Sequence, residues 1–451
     1  MGADRRGARR GLFSRRAEDP AERATNGAAE RATNGAAERT AKDGPAGSGA
    51  SGSASTSDVG AARPGFEHLD PGQVYLDSAC QTLRPRPVVD ALQDYLLHYG
   101  ACGGRVRYAW GRRVDEEVEA TRARVLDTLG LSSRRYACAF TLNTTYGLNL
   151  LLNQLPARRY ARVITTHAEH NAVFLSTIGF AQRTGIPRIV VERTADGHID
   201  LGGVDLTDAL VVVSAMDNVE GVVTRRMPEL IADVHARGGA VILDAAQAAP
   251  HALAHLRGLA ADAICFSAHK MYGPSLGVVA ATHDLLLSLE LTFLGGGQVS
   301  AVSEHGFTLL PEPHTRLEPG LQAWGEIIAF GTALDWMSRF RSARGETLEQ
   351  HEARLSARLH DGLAALPRLQ VLSPAASSVI SVLPERVDGH RLATFLAKAD
   401  ISVRSGYFCA HHWLIERRGL DPLVRFSVGA HNTDADVDRT LEVMTLLMKG
   451  L

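Results

Sequence analysis

A series of short, β-branched runs limits what this chain can fold into. “ARVITTH” (161–167), “RIVVER” (188–193), “ALVVVSAM” (209–216), “GAVILDAA” (239–246), “AICFSA” (263–268) and “GVVAATH” (277–283) are of the kind seen in strands buried on both faces. “YACAFTLN” (136–143) reads as a further strand. Helical segments lie between them: “TTYGLNLLLNQL” (144–155), “NAVFLSTIGFAQRTG” (171–185), stopped by Gly185, and “MPELIADVHARGG” (227–239), which starts near Pro228 and ends in a glycine pair. Repeated βα units predict an α/β fold with a mainly parallel, doubly covered sheet and ligands at the carboxyl ends of its strands. After “GEIIAFGTALDWMSRF” (325–340), the strands “SSVISVLP” (377–384) and “VRFSVG” (424–429) and the helix “GHRLATFLAKAD” (389–400) predict a second, smaller α/β lobe.

These signals divide the chain into a tail at 1–65, a large domain at 66–338 that includes the N-terminal segment, and a small C-terminal domain at 339–451. The tail repeats “AERATNGA” at 21–28 and 29–36 and lacks the aromatics a core needs, so disorder is expected there. A net charge of −2 calls for neither nucleic acid nor an anionic membrane. No apolar run reaches the ~20 residues of a membrane span, and no apolar stretch follows the basic start as in a signal peptide. Cys80, Cys102, Cys138, Cys265 and Cys409 are scattered without a C-x-x-C pair, which speaks against a disulfide framework or zinc ribbon and for a reducing cytoplasm.

Of 48 basic residues only Lys42, Lys270, Lys398 and Lys449 are lysine. Lys270 follows a buried strand in “AICFSAHKMYGP” (263–274), where an α/β sheet places its site. A neutral amine is what lysine offers and arginine does not, and a desolvated amine forms a Schiff base with an aldehyde. Pyridoxal phosphate is such an aldehyde. It needs a carboxylate at its ring nitrogen, which Asp244 at the end of “AVILD” supplies. It also needs hydroxyls and free N–H groups for its phosphate, which Thr144 and Thr145 at a helix start supply, with Ser267 and His269 beside the lysine. Taken singly, Asp244 also suits a helix N-cap and the threonines an ordinary cap. “SGYFCAHHW” (405–413) leaves Cys409 open as a nucleophile, a metal ligand beside His411 and His412, or a small core residue. The other four cysteines read as small apolar residues.

Taken together, these residues resemble the class V aminotransferase family of fold-type I pyridoxal-phosphate enzymes, and within it the group of cysteine desulfurases that includes selenocysteine lyases. The likeness runs from about Tyr75 to Val443. It rests on S-x-H-K at Ser267, His269 and Lys270, D-x-x-Q from Asp244 to Gln247, E-H at Glu169 and His170, N-V-x-G from Asn218 to Gly221, and “VRSGYFCA” at 403–410. The resemblance implies that Lys270 carries the cofactor and that Gln247 bonds the ring hydroxyl. It implies that His170 stacks on the ring, that Asn218 lies by cofactor and substrate, and that Arg425 pairs with the substrate carboxylate. Cys409 would accept sulfur, with His411, His412 or Arg404 favouring its thiolate. Tyr407 and Phe408 stand where the family commonly has two histidines. Leu321 stands where many relatives bring a threonine from the partner subunit to the phosphate, and “ACGGRVRYAWGRR” (101–113) also departs from the family pattern.

The activity this implies is transfer of sulfur from L-cysteine to Cys409 as a persulfide, with release of L-alanine. The other readings are a selenocysteine lyase, a carbon–sulfur lyase of a specialised pathway or an epimerase on the same scaffold, and a non-catalytic pyridoxal-phosphate-binding or interaction protein. A homodimer and a sulfur-acceptor protein are the partners implied. No metal is expected, since four ligands have no evident source.

Overall fold

The chain enters through β1 (Val74–Tyr75), α1 (Arg86–Asp94) and α2 (Ala109–Leu129). The main sheet follows as β2 (Tyr136–Thr141), β3 (Arg162–Thr166), β4 (Arg188–Val191), β5 (Ala209–Ser214), β6 (Ala240–Asp244), β7 (Ala263–Ser267) and β8 (Gly277–Thr282). Between these strands run α3 (Thr144–Gln154), α4 (Asn171–Thr184), α5 (Met227–His235), α6 (Ala248–His251) and α7 (Leu253–Leu256). Next come α8 (His283–Leu287), a hairpin of β9 (Val299–Ser303) and β10 (Gly306–Leu309), and the long α9 (Trp324–Arg339). The C-terminal lobe comprises α10 (Leu348–Ala364), β11 (Leu369–Val371), β12 (Val379–Pro384), α11 (Gly389–Lys398), β13 (Ile401–Ser402), β14 (Arg404–Gly406), β15 (Leu423–Ser427) and α12 (Asp434–Gly450). This computed structural model describes residues 63–70, 72–104, 106–375 and 377–450, all within the compact unit Ala54–Leu451. The repeats of the N-terminal tail lie outside the described residues.

The main sheet has the order β2-β8-β7-β6-β5-β3-β4, parallel except for β8, which runs antiparallel to both neighbours. The middles of its strands are apolar because both faces are covered, and the polar residues sit at strand ends. Side chains alternate across a strand, so Val211 and Val213 of β5 join one core with α2 and α9, while Leu210 and Val212 join the opposite core with α3 and α4.

The second sheet, β11-β12-β15-β14, is antiparallel and backed by α10, α11 and α12 through Leu355, Leu359, Leu396 and Met444. The β1 segment, grouped by sequence with the large domain, belongs structurally with this lobe, whereas α1 and α2 pack with α9. β1 pairs parallel with β13, Leu76 packs in the lobe's core, and Asp77 bridges to Ser427 at the end of β15. Two residues of strand carry too weak a pattern to reveal that pairing. Among the described residues no helix is long and apolar enough to cross a membrane.

A buried ion pair anchors the segment leading into α9. Arg122 on α2 holds Glu318 through two bonds of 2.7 Å, and the same carboxylate accepts the Phe140 N–H of β2 at 2.6 Å. Both side chains are buried, so losing one strands the other's charge. Glu318→Ala is expected to lower stability by about 3–5 kcal/mol in urea unfolding, and Glu318→Gln, which keeps an acceptor, by less.

Candidate active site

β5, β6 and β7 end side by side, and a cavity of about 750 Å³ opens over their last residues, Ser214, Asp244 and Ser267. Thr144, Thr145, His170, Asn218, Asp244, Gln247, Ser267, His269, Lys270, Cys409 and Arg425 all line it. These residues, expected at the site from sequence, are therefore brought to one place across both lobes, whereas His411 and His412 do not line it.

The anion-binding end is built at the start of α3. Asn143 caps the helix, its side chain accepting the Tyr146 N–H at 2.9 Å. Ser267 Oγ accepts the Thr144 N–H at 2.9 Å and lies 2.6 Å from Thr144 Oγ1. A helix N-terminus fringed by hydroxyls is a site for a phosphate group. Gly277 makes the approach possible, because a Cβ there would lie 2.6 Å from the Asn143 backbone.

Lys270 leaves β7 on a single 3₁₀ turn. Burial and the Arg425 guanidinium push its amine down to about 8, with Asp244 opposing. Asp244 is buried, and burial pushes its carboxyl up while the Ala246 N–H and Lys270 pull it down. A cationic ring nitrogen would supply the counter-charge that this carboxylate otherwise lacks. Gln247 donates to the Ala79 carbonyl at 2.8 Å, and its buried Oε1 has no partner. That orphaned acceptor suits a ring hydroxyl. His170 caps α4 with Nδ1 accepting the Ala172 N–H at 3.0 Å, which leaves the other ring nitrogen to carry the proton. Burial, Lys270 and Arg425 push its imidazole down to about 4, so it is neutral at pH 7. The preceding Glu169 is pinned by Thr166 and Ser214, fixing the turn that presents His170. His269 is likewise held neutral, pushed down to about 4 by burial. A desolvated amine, an orphaned acceptor, a buried carboxylate and a hydroxyl-fringed helix start together fit pyridoxal phosphate.

On the substrate side, Arg425 of β15 is buried, 4% exposed. Its Nη1 donates to the Asn218 carbonyl at 2.8 Å and its Nη2 lies 3.6 Å from Asp77, while Nε has no partner. Asn218 acts as a brace as well as a lining residue. Its amide donates to the Phe408 carbonyl at 2.6 Å, and the Asp217 carboxylate holds its turn by accepting from Val219, Glu220 and Val222. The turn closes through Gly221 at φ +70, where a Cβ would strike Ser377. Phe408 and Cys409 both adopt left-handed backbone, φ 47 and 58, and the Cys409 carbonyl accepts the Asn171 N–H at 2.6 Å. Cys409 is exposed at the cavity mouth rather than packed in a core.

Three expectations change. His412 stacks on Phe174 at 4.3 Å and bonds His167 at 2.9 Å, and His411 lies 3.2 Å from Asn171. The guanidinium of Arg404 is set against Cys80 and Asp77 rather than against Cys409. Cys80, read from sequence as a small apolar residue, lines the cavity, whereas Cys138 and Cys265 are buried in strands as that reading requires. Asp77 and Cys80 had no local signal, since no spacing rule ties 77–80 to a loop beyond residue 400, whereas Phe408 was visible as a departure from the family motif.

Residues 74–440 match the family model Aminotransferase class-V. A probable cysteine desulfurase of Streptomyces coelicolor is 30% identical over 82% of this chain and 90% of its own length. Among solved structures, the cysteine desulfurase CsdA of Escherichia coli superposes with a TM-score of 0.76 at 27% identity, covering 86% of this chain and 98% of that one. The cysteine desulfurase of Thermococcus onnurineus gives 0.75 at 29%, covering 84% and 95%.

The lowered amine of Lys270 sets a pH dependence for uptake of an aldehyde. Only the neutral amine attacks, and its fraction grows as pH rises through about 8. Capture of pyridoxal phosphate by cofactor-free protein, followed by absorbance, is expected to speed about tenfold per unit well below pH 8 and to level off above 9. Lys270→Arg is expected to capture none.

Proposed function

This chain belongs to the aminotransferase class-V family, and we propose that it is a pyridoxal-phosphate-dependent cysteine desulfurase. It transfers the sulfur of L-cysteine to Cys409 as a persulfide and releases L-alanine. The observation that carries this reading is one cavity shared by a desolvated lysine, a buried arginine with a free Nε, and an exposed loop cysteine.

Thr144, Thr145, Ser267 and His269 would hold the cofactor's phosphate, Asp244 its ring nitrogen, Gln247 its hydroxyl and His170 its face. Pyridoxal phosphate supplies the aldehyde that takes up an amino group and the ring that absorbs the electron pair freed at Cα. Arg425 orients the substrate through its carboxylate, for which a planar guanidinium offers paired donors. Asn218 keeps that guanidinium and the Cys409 loop in register. The Lys270 amine, pushed down to about 8, takes the Cα proton and returns one to the product. The Cys409 thiolate attacks the substrate sulfur. A sulfur–sulfur bond forms as the carbon–sulfur bond breaks, and the departing carbon becomes the methyl of alanine.

Phe408 supports a second reading. Its ring lies 4.8 Å from the Arg425 guanidinium and lines the cavity where the family commonly has histidine. An apolar wall there suits a larger sulfur amino acid, as in a carbon–sulfur lyase. A homodimer and a protein acceptor complete the proposal. Leu96, Leu97, Trp110 and Leu142 are more than half exposed and give a second copy apolar surface to cover, and exposed Cys409 is open to an incoming thiol. The five cysteines are unpaired, which suits the cytoplasm.

With pyridoxal phosphate and a thiol reductant, L-cysteine is expected to give alanine and sulfide in equal amounts. Cys409→Ser is expected to lose sulfide release about 10²-fold or more while keeping the cofactor's absorbance; normal release by that variant would sink the nucleophile assignment. Pyruvate from cystathionine, with little turnover of cysteine, would favour the lyase. Light scattering is expected to give twice the mass of one chain.

A further inference from the structure

Cys80 is the other thiol that faces the cavity. It lies just past β1 on a turn closed by its own N–H to the Asp77 carbonyl at 3.0 Å. Its sulfur accepts a hydrogen bond from Arg404 Nη2 at 2.6 Å. Arg404 is itself paired with Asp77, Nε and Nη2 lying 3.0 and 2.8 Å from Asp77 Oδ2. A second observation marks the same place as built for an anion. Arg425, 4% exposed, lines the cavity with its Nε unpartnered. Cys80, Cys409 and Lys270 line the same cavity, so both sulfurs face the reacting centre. The remaining cysteines share none of this: Cys138 and Cys265 are buried in the sheet, and Cys102, exposed, is directed at the Gly103 carbonyl.

We propose that Cys80 is a second sulfur-accepting thiol of this cavity, to which the outer sulfur of the Cys409 persulfide passes. The inference rests on the desulfurase reading above. In the transfer the Cys80 thiolate attacks the outer sulfur of Cys409–S–SH. A new sulfur–sulfur bond forms at Cys80, the bond to Cys409 Sγ breaks, and Cys409 leaves as a thiolate that takes up the proton released by Cys80. The exchange is Cys409–S–SH plus Cys80–SH giving Cys409–SH plus Cys80–S–SH, and it needs no outside oxidant or reductant. Arg404 is the positioning residue, since its N–H donor favours negative charge on the sulfur of the arriving persulfide. The relay frees Cys409 for a second turnover and stores one sulfur beside the chain entry.

The test uses full-length protein loaded with pyridoxal phosphate and a small molar excess of L-cysteine over both thiols, without reductant or acceptor. Samples are quenched over time with an alkylating agent, and persulfides are mapped by peptide mass. In the parent protein the persulfide is expected on Cys409 first and on Cys80 later, with an alanine burst of about two per chain. Cys80→Ser is expected to halve the burst and confine the label to Cys409. Cys409→Ser is expected to leave both positions unlabelled. Arg404→Gln is expected to shift the distribution of label from Cys80 back to Cys409. Label that stays on Cys409 alone in the parent protein overturns the relay and leaves the desulfurase reading standing. Label on Cys80 in Cys409→Ser overturns the order of transfer, and absence of label from both cysteines of the parent overturns the desulfurase reading with it.

Discussion

The site depends on a buried cation. Arg425 lies on β15 of the C-terminal lobe, and desolvating a guanidinium is costly unless its donors are met. Its partners come from elsewhere in the chain: the Asn218 carbonyl follows β5 of the main sheet, and the Asp77 carboxylate follows β1. Meeting those donors forces three segments distant in sequence to converge over the ends of β5, β6 and β7. The same charge then acts on what lies beneath. After burial it is the next cause that lowers the Lys270 amine, and it adds to the forces that keep His170 neutral. The interaction that joins the lobes thus adds to burial in setting the proton state of the reacting groups.

Leaving one donor of that cation free is a cost the structure retains, as it retains the orphaned acceptor of Gln247 and the left-handed backbone at Phe408 and Cys409. Each is unfavourable in isolation, and together they surround one cavity. Such a concentration of unmet polar groups and strained residues belongs to a binding site, where a ligand completes what folding leaves open.

The large lobe was legible because its signals are local. β-branched runs, helix caps and stop glycines act within a few residues, and the run from “ARVITTH” to “GVVAATH” corresponds to β3 through β8. Lys270 and Asp244 were legible for the same reason, since both sit at strand ends whose position the pattern gives away. The C-terminal lobe was less so. Its antiparallel pairing joins strands tens of residues apart, and the docking of β1 against β13 spans more than three hundred, for which Val74–Tyr75 is too short to carry a period. Arg404 shows the difference most directly. Read along the chain it is a neighbour of Cys409, yet its guanidinium meets Cys80 and Asp77, because β14 sets it opposite Arg425 on β15, beside the turn that follows β1.

By itself the sequence determined the βα order of the main sheet, the lysine chemistry at the end of β7 and the family whose motifs Lys270, Asp244, His170, Arg425 and Cys409 carry. These rest on covalent spacing and on short-range preferences that a linear chain already contains. Only the tertiary structure decided which charges and thiols share a cavity: that Asp77 and Asn218 brace Arg425, that His412 is committed to a stack, and that Cys80 stands beside Arg404 facing the same space as Cys409. Those outcomes depend on how two lobes bury a common surface, and burial is a property of the packed molecule that no stretch of residues encodes alone.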